Sequence, residues 1–130
     1  MSKPDEAAVH AWLDAVKRRD LDGALAYYAD DVENTMAQRG YTLRGKDQLR
    51  KVLETFFQAI PDRTVTVRSL TLGDNGRCVM EYDQDGTVGP GGTAVGLEPG
   101  TRYHREWCAV AVWRDGRIVS ERVYNDSPDA

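Results

Sequence analysis

The feature that most constrains this chain is a change in hydrophobic period at Pro61. Before it, apolar residues recur at helical spacing. From about Pro4 to Arg18, Val9, Trp12, Leu13 and Val16 fall at i, i+3, i+4 and i+7, a one-sided helical stripe. Asp20 has the character of an N-cap for a second helix carrying Leu21, Ala24, Leu25 and Tyr28, expected to end near Ala29. From about Lys46 to Ile60, Leu49, Val52, Leu53, Phe56, Phe57 and Ile60 make one continuous apolar face, which Pro61 ends. Between these helices, Val32 to Met36 and Tyr41 to Leu43 are expected as short strands with Gly40 at the bend.

After Pro61 the period is two. Thr64 to Leu70 alternates and is rich in β-branched residues, and Asp74-Asn75-Gly76 follows it. Both central residues of a type I′ turn need positive φ, which Asn and Gly tolerate, so the strand Arg77 to Asp85 should fold back on its predecessor. Asp115-Gly116 repeats the signal between Tyr103 to Trp113 and Arg117 to Asn125. The expected class is therefore α+β, with helices first and a four-strand antiparallel meander last. At 130 residues the chain is expected to be one domain, residues 1–130, with room for a core and one small cavity.

Charge narrows the partners. Seventeen Lys and Arg stand against 21 Asp and Glu, for a formal net charge of −4. The basic residues are scattered, which argues against nucleic acid or an anionic membrane as partner. The apolar run Trp-Cys-Ala-Val-Ala-Val-Trp ending at Trp113 is far shorter than the roughly 20 residues that span a bilayer. No apolar signal segment opens the sequence, and the expectation is a soluble, cytoplasmic protein. Cys78 and Cys108 lack Cys-x-x-Cys spacing, and the histidines stand far apart at His10 and His104. No local metal motif results, and none of the chemistry expected below needs a cofactor.

Between the middle strands of the meander, Gly86 to Gly100 holds six glycines and two prolines in fifteen residues. It lacks the Gly-Lys-Ser/Thr step into a helix that a phosphate loop needs. It is either a long hairpin connection or a flap over a cavity.

The run Ala15-Val16-Lys17-Arg18-Arg19-Asp20-Leu21-Asp22-Gly23-Ala24-Leu25-Ala26-Tyr27-Tyr28-Ala29-Asp30-Asp31-Val32 resembles the opening of SnoaL-like proteins of the nuclear transport factor 2 superfamily. Gly45-Lys46-Asp47 with the helix ending Phe56-Phe57-Gln58-Ala59-Ile60-Pro61-Asp62 is similar to the polyketide-cyclase branch, as is Asp115 to Asp126. The resemblance implies a cone of curved antiparallel sheet closed by three helices, with a cavity inside, and a homodimer formed through the outer sheet face. It leaves activity open, because the superfamily holds isomerases, cyclases, epoxide hydrolases and non-catalytic binders on one scaffold.

The resemblance also assigns residues. The tyrosine and aspartate of ketosteroid isomerases fall on Trp12 and Met36, neither of which does that chemistry. The Tyr-x-Asp of limonene epoxide hydrolases matches Tyr124-Asn125-Asp126, while their Arg-x-Asp has no counterpart in Glu81-Tyr82-Asp83-Gln84-Asp85. Arg105 or Arg122 would have to substitute. SnoaL-type cyclases pair an aspartate with a histidine, and this chain supplies both types. Strand parity groups His104 with Glu106 and Cys108, and groups Arg122 with Tyr124 and Asp126. The resemblance turns both groups inward, subject to a one-residue register that a bulge would reverse.

The expectation is a cofactor-free enzyme that cyclises or isomerises an apolar oxygenated, polyketide- or terpenoid-like substrate. Asp126 would be the general base or acid, His104 its partner, Tyr124 or Tyr41 a hydrogen-bond donor, and Asp83 a second inward carboxylate. Glu81, Asp83 and Asp85 also read as a solvent-facing strip, since three like charges at spacing two repel. Trp12, Met36, Tyr41, Phe56, Tyr82 and Arg122 would contact the substrate. Two alternatives stand beside this: a non-catalytic ligand- or partner-binding module, and an epoxide hydrolase.

Overall fold

In the computed structural model, which describes residues 2–127, helix α1 (Glu6–Lys17) starts at Asp5. The Asp5 carboxylate accepts the N–H groups of Ala7 and Ala8, two donors that a helix start otherwise leaves bare. Asp20 caps helix α2 (Leu21–Leu25) through Gly23 N–H at 2.9 Å. That helix stops short of Ala29. Tyr28 opens strand β1 (Tyr28–Met36) instead, because it pairs with Ile118, and Ile118 N–H donates to Tyr27 O at 2.7 Å. Strand β2 (Tyr41–Arg44) returns antiparallel to β1, and helix α3 (Lys46–Ala59) follows.

The meander is β3 (Thr64–Leu72), β4 (Arg77–Thr87), β5 (Arg102–Arg114) and β6 (Arg117–Asn125). Its first and last turns carry the positive φ that their sequences permit: Asn75 at 62° and Gly76 at 74°, Asp115 at 52° and Gly116 at 75°. A side chain at Gly76 would also collide with the backbone oxygen of Trp113. The sheet order is β2-β1-β6-β5-β4-β3, curved, with β1 parallel to β6 and all other neighbours antiparallel. No helix among the described residues is long and apolar enough to cross a membrane.

The helices cover one face of this sheet. Val9, Trp12, Leu13, Leu25 and Leu49 pack against Met80, Ala109, Ala111, Trp113 and Ile118. Trp12 meets Trp113 edge to face, with ring centroids 6.0 Å apart, and the small Ala109 and Ala111 leave room for it.

One irregularity decides which way the last strand faces. Val112 pairs with Ser120 but Trp113 pairs with Ile118, so Val119 is an extra residue in β6. Ile118 is inward, and after the bulge Glu121 and Val123 are inward while Arg122, Tyr124 and Asp126 are exposed.

The glycine-rich segment is a built wall. It contains a 3-10 helix, Pro90–Val95, laid on α3. Gly89 N–H donates to Ala59 O at 2.8 Å, Gly100 N–H to Val88 O at 2.7 Å, and Thr87 N–H to the Asp62 carboxylate at 2.8 Å. Val88 joins Ala59, Ile60 and Tyr103 in a second small core, and Gly92 lies so close to Val88 that a methyl group there would overlap it.

Candidate functional site

The concave side of the sheet and the three helices enclose a cavity of about 120 Å³. Its wall is mostly apolar: Trp12, Met36, Leu49, Phe56, Val65 and Met80 are representative. Trp12, Met36, Tyr41, Phe56 and Tyr82, expected to contact substrate, all line it. A wider mouth of about 450 Å³ shares Met36, Tyr41, Val52, Phe56 and Trp107 with the inner space. Ala94, Val95 and Leu97 of the glycine-rich segment form one side of that mouth. Tyr41, at 40% exposure, stands at its rim.

The residues expected to do chemistry are elsewhere. On β5 the inward side is Tyr103, Arg105, Trp107, Ala109 and Ala111, and His104 is on the outer face. Nδ1 of His104 sits 2.6 Å from Asp85 Oδ1, and that hydrogen bond raises the imidazole pKa above its ordinary 6.5. The same parity puts Asp83 outside, where Arg68 reaches it at 2.9 Å and also reaches Glu106 at 2.8 Å. Glu81 accepts from Ser69 Oγ at 2.8 Å. Glu81, Asp83 and Asp85 are thus a partnered outer strip. Asp126 is exposed and accepts the Glu106 N–H at 3.0 Å, extending the β5–β6 ladder. Tyr124 is 40% exposed, and Arg122 Nε donates to its hydroxyl at 2.8 Å. The inward assignment of Asp126, Tyr124 and Arg122 is reversed by the extra residue at Val119. For His104 and Asp83 no bulge intervenes between β4 and β5, and the resemblance oriented that face the wrong way.

The cavity has its own polar groups, which the sequence did not reveal. Glu121 of β6 is 7% exposed and lines the cavity beside Asn34 and Tyr28 of β1. Asn34 Nδ2 donates to Glu121 Oε1 at 2.7 Å, and Tyr28 OH donates to the same oxygen at 3.3 Å. Glu121 Oε2 takes no hydrogen bond from another described residue. Burial raises the Glu121 pKa from 4.5 to about 7, against the pull of its two donors. Burial and then the neighbouring carboxylate hold Tyr28 well above the ordinary phenol range. Tyr82 is pushed up by burial first as well, and so remains a neutral donor. Arg63, just before β3, and Gln84 of β4 are also buried against the cavity.

The signal for Glu121 was the alternation read backward from Val123, which stands between the polar Arg122 and Tyr124. Among the described residues that line this cavity, the arginine-and-two-aspartates grouping of an epoxide hydrolase does not occur. Arg68 does reach two acids, Asp83 and Glu106, but on the outer face.

Comparison with known proteins agrees with this geometry at the level of the fold. The chain is similar to AclR, a hydroxylase candidate from Streptomyces galilaeus (19% identity, 95% of this chain and 79% of that one, TM-score 0.79). It is also similar to a candidate polyketide cyclase from Xanthomonas campestris pv. campestris (25% identity, 92% and 88%, TM-score 0.74). A third similar structure is an LEH-like epoxide hydrolase from M. tuberculosis (23% identity, 92% and 80%, TM-score 0.70). No curated protein matches the sequence. The model of the SnoaL-like domain matches residues 9–121, most of the chain, and the protein belongs to that family.

Proposed function

We propose that this protein is a cofactor-free acid/base enzyme acting on an apolar oxygenated small molecule, with Glu121 as the group that moves the proton. The observation that carries this reading is a carboxyl group buried in an apolar cavity, with one oxygen held by Asn34 and Tyr28 and the other unclaimed among the described residues. A pKa of about 7 keeps acid and base forms both populated near neutrality, which suits a group that must take a proton and return it. The ionised carboxylate accepts a proton from a carbon beside a substrate carbonyl, leaving Glu121 protonated and the substrate an enolate. The neutral Tyr82 hydroxyl, which has no hydrogen bond to a described residue, donates to the enolate oxygen. Glu121 then returns the proton to carbon, or the enolate carbon attacks a second carbonyl within the same molecule, closing a ring as that carbonyl becomes an alkoxide, which takes the proton back from Glu121.

Exchange of α-protons in D₂O tests the first step without knowledge of the natural substrate. With apolar cyclic ketones such as cyclohexanone and 2-decalone, the wild type is expected to accelerate exchange seen by proton NMR, and Glu121→Gln to lose the acceleration. Equal rates in the two proteins would remove Glu121 from this role. The competing reading, a module that holds a ligand without chemistry, is favoured by the outward placement of Asp83, His104 and Asp126. It predicts saturable ketone binding with no exchange in either protein.

A further inference from the structure

The cavity has a second polar pole, at Arg63. This guanidinium is 7% exposed, lies over the Phe57 ring at 4.5 Å from its centroid, and lines the cavity. Among the described residues no carboxylate pairs with it and no acceptor takes a hydrogen bond from it. Burial lowers its pKa below the ordinary arginine value, the response of a charge taken from water without a counter-ion. Gln84, 8% exposed, lines the same cavity, and its buried side-chain oxygen has no hydrogen-bond partner. The two are neighbours by register: Gln84 pairs with Val65, two residues beyond Arg63. Two buried polar side chains with unused capacity at one end of a cavity are complementary to something absent from the chain itself.

The approach to this pole has the same sign. Arg39, Lys51 and Arg105 line the mouth, and among the described residues no Asp or Glu does, on a chain whose net charge is −4. None of the three is in a salt bridge among the described residues. Arg105 pairs across β4–β5 with Gln84, so the cationic mouth leads by register to the Arg63 end. Glu121 lies at the other end: it pairs with Ala111, six residues farther along β5, or roughly 20 Å of strand.

We infer that the ligand of this cavity is an apolar monocarboxylate, held with its carboxylate on Arg63 beside Gln84 and its apolar, oxygenated body toward Glu121. This deepens the function proposed above and rests on that reading for the role of Glu121, though the carboxylate subsite is argued from Arg63, Gln84 and the mouth alone. A planar guanidinium offers a carboxylate two parallel N–H donors. Gln84 can add one more hydrogen bond only as a donor, through its side-chain N–H, since its oxygen and the carboxylate are both acceptors, and the mouth cations raise the encounter rate.

Matched acids and amides test it. Binding of 4-cyclohexylbutanoate and 4-cyclohexylbutanamide is followed by quenching of the tryptophan fluorescence, since Trp12 and Trp107 line the cavity. Wild type is expected to bind the acid about tenfold or more tighter than the amide. Arg63→Met is expected to erase that preference, and Glu121→Gln to retain it while losing proton exchange, so the two readings fail separately. Gln84→Glu gives Arg63 an internal counter-ion and is expected to erase the preference as well, with no dependence on whether Arg63→Met folds. Equal binding of acid and amide by wild type overturns the proposal. So does an acid preference that survives in either folded variant, or a wild type that binds neither compound at millimolar concentration.

Discussion

The two faces of the sheet carry the same kinds of side chain to opposite ends. The outer face of β3, β4 and β5 holds Arg68, Glu81, Asp83, Asp85, His104 and Glu106, and each acid finds a side-chain partner on another strand, Arg68 of β3 reaching across β4 to Glu106 of β5. These pairs stand in or near water, where an ion pair contributes little and perturbs little. Among the described residues the inner side buries one carboxyl and one guanidinium, Glu121 and Arg63, and the structure does not pair them with each other or with another charge. There the low dielectric makes each group's proton affinity and hydrogen-bonding capacity count. Chemistry on this fold is therefore not located by the density of titratable residues, which points to the outer face.

The largest effect that would break this comparison is on turnover. Glu121→Gln is expected to lower ketone proton exchange by about 10² to 10⁴-fold, the range for removing a positioned general base. His104→Ala and Asp126→Asn, both on the outer face, should stay within about twofold of wild type, as surface changes do. NMR exchange rates at matched protein concentration check this, and a comparable loss in His104→Ala would return the chemistry to the outer face.

A second effect reads the same contrast in stability. Unfolded, Glu121 titrates near 4.5, and folded at about 7, so between those values the folded state holds the extra proton. The contribution is fully present below about 4.5 and is lost as pH rises through 7. Relative to Glu121→Gln, the wild type should therefore lose of the order of 3 kcal/mol between about pH 4 and about pH 8. Urea unfolding of both proteins across that range measures it, and parallel curves would mean that Glu121 is not buried as a neutral acid. Exchange activity should rise over the same interval, since the carboxylate form accepts the proton.

These two effects rest on a residue that the sequence hid, and the reason is local. The change of period at Pro61 and the turns Asn75-Gly76 and Asp115-Gly116 were enough to lay out α3 and the antiparallel order β3-β4-β5-β6, because each is a short-range preference. Of the cavity wall, Trp12 and Phe56 lie on helical stripes read from apolar periodicity, whereas Met36 and Tyr82 entered with the family resemblance. Facing was a different matter. On β5 both faces are apolar, Cys108, Val110 and Val112 on one and Ala109, Ala111 and Trp113 on the other, so alternation has no sign until Trp12 packs onto the small residues. On β6 the extra residue at Val119 has no turn signal and reverses the strand. Tyr28 was hidden by tertiary pairing, which turned a residue with helical spacing into a strand residue beside Glu121. Arg63 sits beyond Pro61 in a polar Asp-Arg-Thr stretch that reads as loop.

A smaller effect asks whether the mouth wall belongs with the rigid interior. A methyl group at Gly92 would overlap Val88 Cγ1, whereas one at Gly73 would meet nothing within 4 Å. Gly92→Ala should cost about 1–3 kcal/mol through overpacking, and Gly73→Ala should be near neutral. Thermal melts of the two variants make the comparison, and a neutral Gly92→Ala would mean that the segment yields as a loose flap does.

The smallest effect belongs to the outer face itself. His104 is raised above its ordinary pKa first by its hydrogen bond to Asp85, then by the negative charge of Asp85, Asp83 and Asp126, with its modest burial opposing them. A histidine raised in the folded state adds stability that is present below its unfolded pKa and lost as pH rises through the folded value. Its side chain is 44% exposed, so water and salt screen the pair and the stability effect should be small. The titration should still show it: the His104 ring protons, followed by NMR, should titrate above 6.5, and Asp85→Asn should bring the midpoint down. That variant should leave proton exchange untouched, because the pair it breaks lies on the opposite side of the sheet from Glu121. A change in exchange rate that tracked the His104 midpoint would mean that the two faces communicate, and would overturn the separation drawn between them.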